Sequence, residues 1–335
     1  MQSKGLHYIK QSRVMNMPHL RWLLIILIIS SVAVVYLEKQ EERIVFSARD
    51  NSSLTITVGG NLYSFKQQNI PFSRGLGEIF NLSDVNLLSL TTPIFRDMDD
   101  SNVGHFIIEL LEKYSINLVQ ISDQQFLSFG VTGLLDTVNA LGQQGIDFIG
   151  AGLNEVDAVA PVYFHGKEIA LGVLAVNASP PLGWAAGVNR FGVATFGERH
   201  DEAITEAKLS ADIVIALVSF PEDILEERKK ELGMALVDKG VHIVVGTGSG
   251  PVGKVEYYRD SVIFYNIGTL WSQEAVYSYE RESVVLQVVV SAEGNVVINA
   301  IPVVGNGYSC KVLNKGFLYY KISRRLGGQK WELKL

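Results

Sequence analysis

Apolar residues along this chain fall into short β-branched runs that alternate with stretches of helical period. Leu54-Thr-Ile-Thr-Val58 opens the series and closes on Gly59-Gly60; Val85–Leu90 follows and ends at Thr91-Thr-Pro93. Val103–Tyr114 has helical spacing, and Ile116–Ile121 then reads as a strand. Between Thr132 and Gln143, Leu134, Leu135, Val138 and Leu141 share one helical face; Gly145 stops that helix and Ile146–Ile149 begins the next strand. Ile169–Val176, Ile213–Val218, Val241–Val245 and Val262–Asn266 predict further strands, mostly separated by charged helices. Strands so continuously apolar are buried on both faces, which predicts a layered α/β domain. Val284–Val290 and Val296–Val303, joined at Glu293-Gly294-Asn295, predict a closing antiparallel hairpin. No internal repeat or long low-complexity linker interrupts the series.

One run has neither period. Trp22–Leu37 is uncharged over sixteen residues, roughly 24 Å of helix against a hydrocarbon core of about 30 Å. Leu20 extends it and Arg21 can snorkel to the headgroups. Lys4, Lys10, Arg13 and Arg21 precede it, whereas Glu38, Glu41 and Glu42 follow, which predicts a cytoplasmic N-terminus and an extracytoplasmic remainder. A cleaved signal peptide is the rival reading; its apolar region would be long and no Ala-x-Ala triplet follows, which favours an uncleaved anchor. The expected organisation is a basic cytoplasmic tail (1–21), a transmembrane signal anchor (22–37), a juxtamembrane linker (38–53), an α/β domain (54–304) and a basic, aromatic C-terminal tail (305–335). The expected localisation is the cell membrane, single-pass.

Composition narrows the function classes. With 47% hydrophobic and 19% charged residues in 335, the chain is too apolar for disorder, and its single cysteine, Cys310, excludes a disulfide scaffold. A formal charge of −6 excludes the basic footprint of a nucleic-acid binder. The charge is unevenly spread: residues 1–21 carry four bases and no acid, and residues 310–335 carry seven bases against Glu332. The last segment interleaves these bases with Phe317, Tyr319, Tyr320 and Trp331, which suits an anionic membrane surface or polymer. A solvated terminus packed by a few aromatics accounts for it equally well.

The order of segments carries a resemblance. Ile56-Thr-Val-Gly59, Ser89-Leu-Thr-Thr-Pro93, Ser122-Asp-Gln-Gln125, Ser128-Phe-Gly130 and Gly133-Leu-Leu-Asp-Thr137 come first. Gly145-Ile-Asp-Phe-Ile-Gly-Ala-Gly152, Ala211–Val218, Gly246-Thr-Gly-Ser-Gly250, Val255-Glu256 and Ile263-Phe-Tyr-Asn-Ile-Gly268 follow. From Leu54 to Leu270 this series resembles the bacterial capsule-synthesis CapA/PgsA family, which makes poly-γ-glutamate and has the calcineurin-like metallophosphatase fold. The resemblance implies a layered β-sandwich flanked by helices. It also implies a site at the strand ends formed by Gly60, Thr91, Asp123, Gln124, Gln125, Ser219, Gly248, Ser249 and Gly250.

At those positions the family's ligands are replaced. Its turn Asp falls on Gly60, its Glu on Thr91, its Asn-His on Gln124-Gln125, its next His on Ser219 and its last His pair on Gly248 and Gly250. Two hard cations need several anionic or imidazole donors, so no metal, no cofactor and no catalytic residue is expected. The six histidines do not rebuild a site: His7 and His19 precede the apolar segment, and His105, His165, His200 and His242 are single. His242 reads as a core or edge strand residue, and His200 as a solvated helix start. Gly246–Gly250 could form an anion nest but lacks the Lys of a P-loop, and Val218-Ser-Phe-Pro221 is no nucleophile elbow.

Three readings follow. The first is a membrane-anchored, non-catalytic CapA-like protein in synthesis or export of an anionic surface polymer, with the membrane, the polymer and other polymer-synthesis subunits as partners. The second is a hydrolase with an altered site at Asp123, Gln124, Gln125 and Ser219. The third is an accessory module binding an unrelated partner.

Overall fold

The computed structural model describes residues 52–63, 72–95, 101–123, 126, 130–166, 168–221, 223–272 and 278–335. The expected anchor at Trp22–Leu37 lies outside the described residues, and among these no helix is long and apolar enough to cross a membrane.

In chain order the first part holds β1 (Ser53–Tyr63), α1 (Arg74–Asn81), β2 (Val85–Leu90), α2 (Ser101–Lys113), β3 (Leu118–Gln120), α3 (Gly130–Gln143) and β4 (Asp147–Ile149). The middle holds β5 (Ala151–Gly152), α4 (Glu155–Val159), β6 (Val162–Gly166), β7 (Ile169–Asn177), β8 (Gly192–Val193), α5 (Glu198–Ser210), β9 (Ile213–Ser219), α6 (Glu226–Lys239) and β10 (Ile243–Thr247). Then come β11 (Val255–Tyr258), β12 (Ser261–Phe264), β13 (Thr269–Ser272), a 3-10 turn (Ser278–Arg281), β14 (Glu282–Ser291) and β15 (Asn295–Gly305). The chain closes on β16 (Cys310–Val312), α7 (Phe317–Leu326) and β17 (Lys330–Lys334).

These strands build two large sheets. The first runs β16-β15-β14-β1-β2-β3-β4, with β13 also on β1 and β17 also on β15; the second runs β11-β12-β10-β9-β7-β6. β1 to β4 are parallel, as are β7, β9, β10 and β12, while β14 and β15 form the antiparallel hairpin that the alternating run predicts.

The sheets pack face to face because strand residues alternate. Leu171, Val173, Ile213, Ile215, Leu217, Ile243, Val245 and Phe264 of the second sheet share one core with Ile56, Val58, Leu87, Leu118, Leu286 and Val288 of the first. Residues of the other parity, Leu174, Val176, Val214, Ala216 and Val244, pack instead against Ile204 and Ala207 of α5 and Leu236 and Val237 of α6. Burial on both faces is why these strands read as unbroken apolar runs. The layered α/β class is therefore the one the sequence pattern predicts.

Two expectations are corrected. Residues 310–334 are not a tail: β16 and β17 add to β15, and Ile322, Leu326 and Trp331 join the inter-sheet core, Trp331 standing edge-on to Phe264 at 5.0 Å. Lys321 and Arg325 both pair with Glu282, whose side chain is 1% exposed. The expected boundary at 304 thus cuts through a sheet. Nor is His200 solvated. It is fully buried, with Nε2 3.2 Å from the Ala175 carbonyl oxygen, because α5 turns this side inward onto β7.

Candidate functional site

Parallel strands deliver their C-terminal ends to one edge of each sheet, and hydrogen bonds tie the two edges together. The Asn177 side-chain amide donates to the Ser122 carbonyl at 2.6 Å, and the Thr247 hydroxyl donates to Gln120 Oε1 at 2.8 Å. Gln120 Nε2 donates to Ser122 Oγ at 2.9 Å, and the Ser219 hydroxyl donates to Asp123 Oδ2 at 3.2 Å. Gln120, Ser122, Asp123, Asn177, Ser219 and Thr247 are all buried, so this network is a rigid polar floor between the sheets.

Beside it opens a cavity of about 200 Å³ lined by Asn61, Tyr63, Thr91, Asp123, Ser249, Thr269, Ser272 and Glu280. Of the residues expected at the site, Thr91, Asp123 and Ser249 line it together. Ser219 does not line it but holds Asp123 from behind. Gln124 and Gln125 lie outside the described residues.

The glycines have packing tasks. A Cβ on Gly60 would lie 2.0 Å from the Gly268 carbonyl oxygen, and one on Gly248 would lie 2.5 Å from that of Phe220. Gly250 sits at φ +122°, a conformation that suits glycine. Gly60 therefore cannot stand in for the family's strand-end Asp. The pairing of β1 with β2 shifts register between Val58 and Asn61, and the residue that lines the cavity is Asn61, one place further on. Asn61 is 3% exposed and its Oδ1 has no hydrogen-bond partner. Tyr63, Thr269, Ser272 and Glu280 are the other residues that the sequence reading missed. The one local signal was Asn61 itself, a polar residue at the end of an apolar strand.

The donors among the described residues do not by themselves make a dinuclear metal centre. Among the described residues no histidine lines the cavity, Asp123 and Glu280 are its only carboxylates, and no three of His, Cys, Asp or Glu stand together. Among the described residues Ser219 bonds to Asp123 with no imidazole between them. A larger cavity, about 460 Å³, lies at the start of α5, but Arg199, the one base among its described lining, is held by Glu155 at 2.9 Å and Glu202 at 2.8 Å. That charge is already compensated.

Comparison with known proteins returns one family and several distant relatives. Residues 57–274 match the family described as "Bacterial capsule synthesis protein PGA_cap". A PGA biosynthesis protein CapA of Bacillus subtilis is 26% identical over 185 residues, 54% of this chain and 48% of that protein. A capsule biosynthesis protein CapA of Bacillus anthracis is 19% identical over 335 residues, 90% of this chain and 79% of that protein. The chain thus spans about half the length of the first relative and most of the second. Among solved structures, NAD nucleotidase of Haemophilus influenzae superposes with a TM-score of 0.46 at 11% identity, covering 81% of this chain and 61% of that one.

Proposed function

The chain belongs to the bacterial capsule synthesis protein PGA_cap family, and we propose that it serves capsule-polymer synthesis or export as a membrane-anchored binding or assembly protein, without hydrolytic chemistry of its own. The observation that carries this reading is the strand-end cavity, whose described lining offers hydroxyls, an amide and two carboxylates but no imidazole. The relatives named for capsule and PGA biosynthesis supply the process. The uncharged segment Trp22–Leu37 supports a membrane location with the domain outside. An anionic partner is supported by Lys311, Lys315 and Arg324, which are exposed in the same stretch of chain as the exposed Tyr308, Phe317 and Tyr320.

Two measurements test the proposal. Deleting the gene should abolish or shorten the surface polymer, and a polymer of unchanged amount and length would reject the role. The purified full-length chain, supplied with Mn, Fe and Zn, should bind no metal pair and hydrolyse no model phosphodiester. Stoichiometric metal with turnover lost in Asp123→Ala would establish the altered hydrolase instead.

A further inference from the structure

α7 presents apolar side chains on two opposite faces. Ile322 and Leu326 enter the inter-sheet core, whereas Phe317, Tyr320 and Arg324, at i, i+3 and i+7, share the face turned away from it. Phe317 is 81% exposed and Tyr320 67%. A single exposed ring is ordinary on a protein surface, but two on one helical turn make a patch.

The bases of this region divide into paired and free. No Asp or Glu occurs from Gly294 to Trp331, a stretch that holds six bases. Lys321 and Arg325 share Glu282, and Lys330 pairs with Glu332 at 2.6 Å. Lys315, just before the helix, and Arg324, on its outer face, are exposed and pair with no carboxylate among the described residues. The outer face of α7 therefore carries two rings flanked along the chain by two uncompensated cations.

That combination fits one partner chemistry best. At the headgroup level of a bilayer an aromatic ring lies between hydrocarbon and water, while Lys and Arg meet lipid phosphate. A soluble polycarboxylate would satisfy the cations and leave both rings in water.

We propose that the outer face of α7 docks on an anionic lipid surface, with Phe317 and Tyr320 at the headgroup level and Lys315 and Arg324 on lipid phosphates. The proposal rests on the reading of the chain as membrane-anchored and adds to it a fixed orientation of the domain. Residues 38–52, between the proposed anchor and β1, can span at most about 55 Å, so the bilayer is always within reach and a weak contact suffices. Two bases favour an anionic over a neutral surface by about thirtyfold. Glu282, which α7 holds, follows two residues after Glu280 of the strand-end cavity, so a docked α7 keeps that edge of the sheets near the bilayer.

The test is lysine acylation of the full-length chain in lipid nanodiscs, read residue by residue by mass spectrometry. In discs of phosphatidylcholine mixed with phosphatidylglycerol, Lys315 should react at least about threefold more slowly than in phosphatidylcholine alone. Lys208, exposed on α5 outside the second sheet, should keep its rate. Protection should disappear in about 1 M salt, where the Debye length is about 3 Å. Phe317→Ser combined with Tyr320→Ser should remove most of it, and Arg324→Gln part of it, with circular dichroism and thermal midpoint close to the parent's. Equal Lys315 rates in the two discs, or protection that survives the loss of both rings, would overturn the proposal. So would protection by soluble polyglutamate that anionic lipid does not reproduce, which would make α7 a polymer contact. The anchor is judged separately. A chain that stays with neutral discs but shows no protection in anionic ones keeps the anchor and loses the α7 contact. One that leaves neutral discs yet binds anionic discs with Lys315 protected does the reverse.

Discussion

A methyl group added to Gly60 would overlap the Gly268 carbonyl oxygen at 2.0 Å, so Gly60→Asp must push β1 away from the start of β13. Overpacking of this kind against backbone should cost about 3 kcal/mol. Asn61→Ala removes an oxygen that has no partner and should change stability by less than about 1 kcal/mol. Urea denaturation of the two variants checks the assignment; a tolerated Gly60→Asp would return the strand-end position to residue 60. The sequence could not decide between these neighbours, because the glycine pair carries no side chain to show where alternation breaks. Thr91, Asp123 and Ser249 were legible through the family resemblance, whose framing segments Ser89–Pro93, Ser122–Gln125 and Gly246–Gly250 contain them. Two histidines add a pH dependence. Burial lowers the pKa of His200, and burial together with Lys208 lowers that of His242, whose Nδ1 accepts from the Val214 amide at 2.9 Å. Folded pKa values below the unfolded 6.5 or so mean that the unfolded chain takes protons first. Stability is then complete above that pH and falls as pH drops below it. The urea midpoint should decrease from pH 7.5 to pH 5.5, and less so in His242→Asn, which keeps an acceptor without a titrating ring. A midpoint that rises on acidification would contradict this account.

The elements that sequence pattern located best are the parallel strands around Ile213–Ser219 and Ile243–Thr247 and the β14–β15 hairpin, where burial on both faces or strict alternation writes itself into residue type. The last element group was misjudged because composition counts bases without knowing their partners. Lys321 and Arg325 sit on α7, and the carboxylate they share, Glu282, begins β14, 39 and 43 residues upstream. No local pattern links them. Glu282→Gln would leave two cations facing a neutral amide, but both are about one-third exposed (side-chain values 29% and 33%), so water can take part of their charge. The expected loss is about 2 kcal/mol, below the 3–5 kcal/mol of a fully buried pair. It should appear first as faster amide exchange over residues 317–334, the segment that the pair pins to the sheet. Unchanged exchange there would mean that Ile322, Leu326 and Trp331 hold α7 and β17 unaided.

For the whole molecule, the proposed anchor makes which side of a membrane the two-sheet body occupies the deciding question. Four bases, Lys4, Lys10, Arg13 and Arg21, stand before the uncharged Trp22–Leu37, and three, Lys39, Arg43 and Arg49, stand within a comparable distance after it. Lys and Arg near the segment set orientation, while long domains cross largely regardless of their own charge. The acidic body of this chain is then no obstacle to export, and its buried core, from Leu54 to Trp331, is reached only after residue 53. Such a body can fold after crossing. Protease added to intact spheroplasts should therefore digest residues 38–335 and leave a short fragment that carries the N-terminal bases. Complete protection would reverse the orientation, and with it the access of the strand-end cavity to an exported chain. Moving two of the four bases to positions just after Leu37 should weaken the bias, so that part of the population becomes protected. If the pattern of digestion ignores that change, orientation is set elsewhere than by these charges.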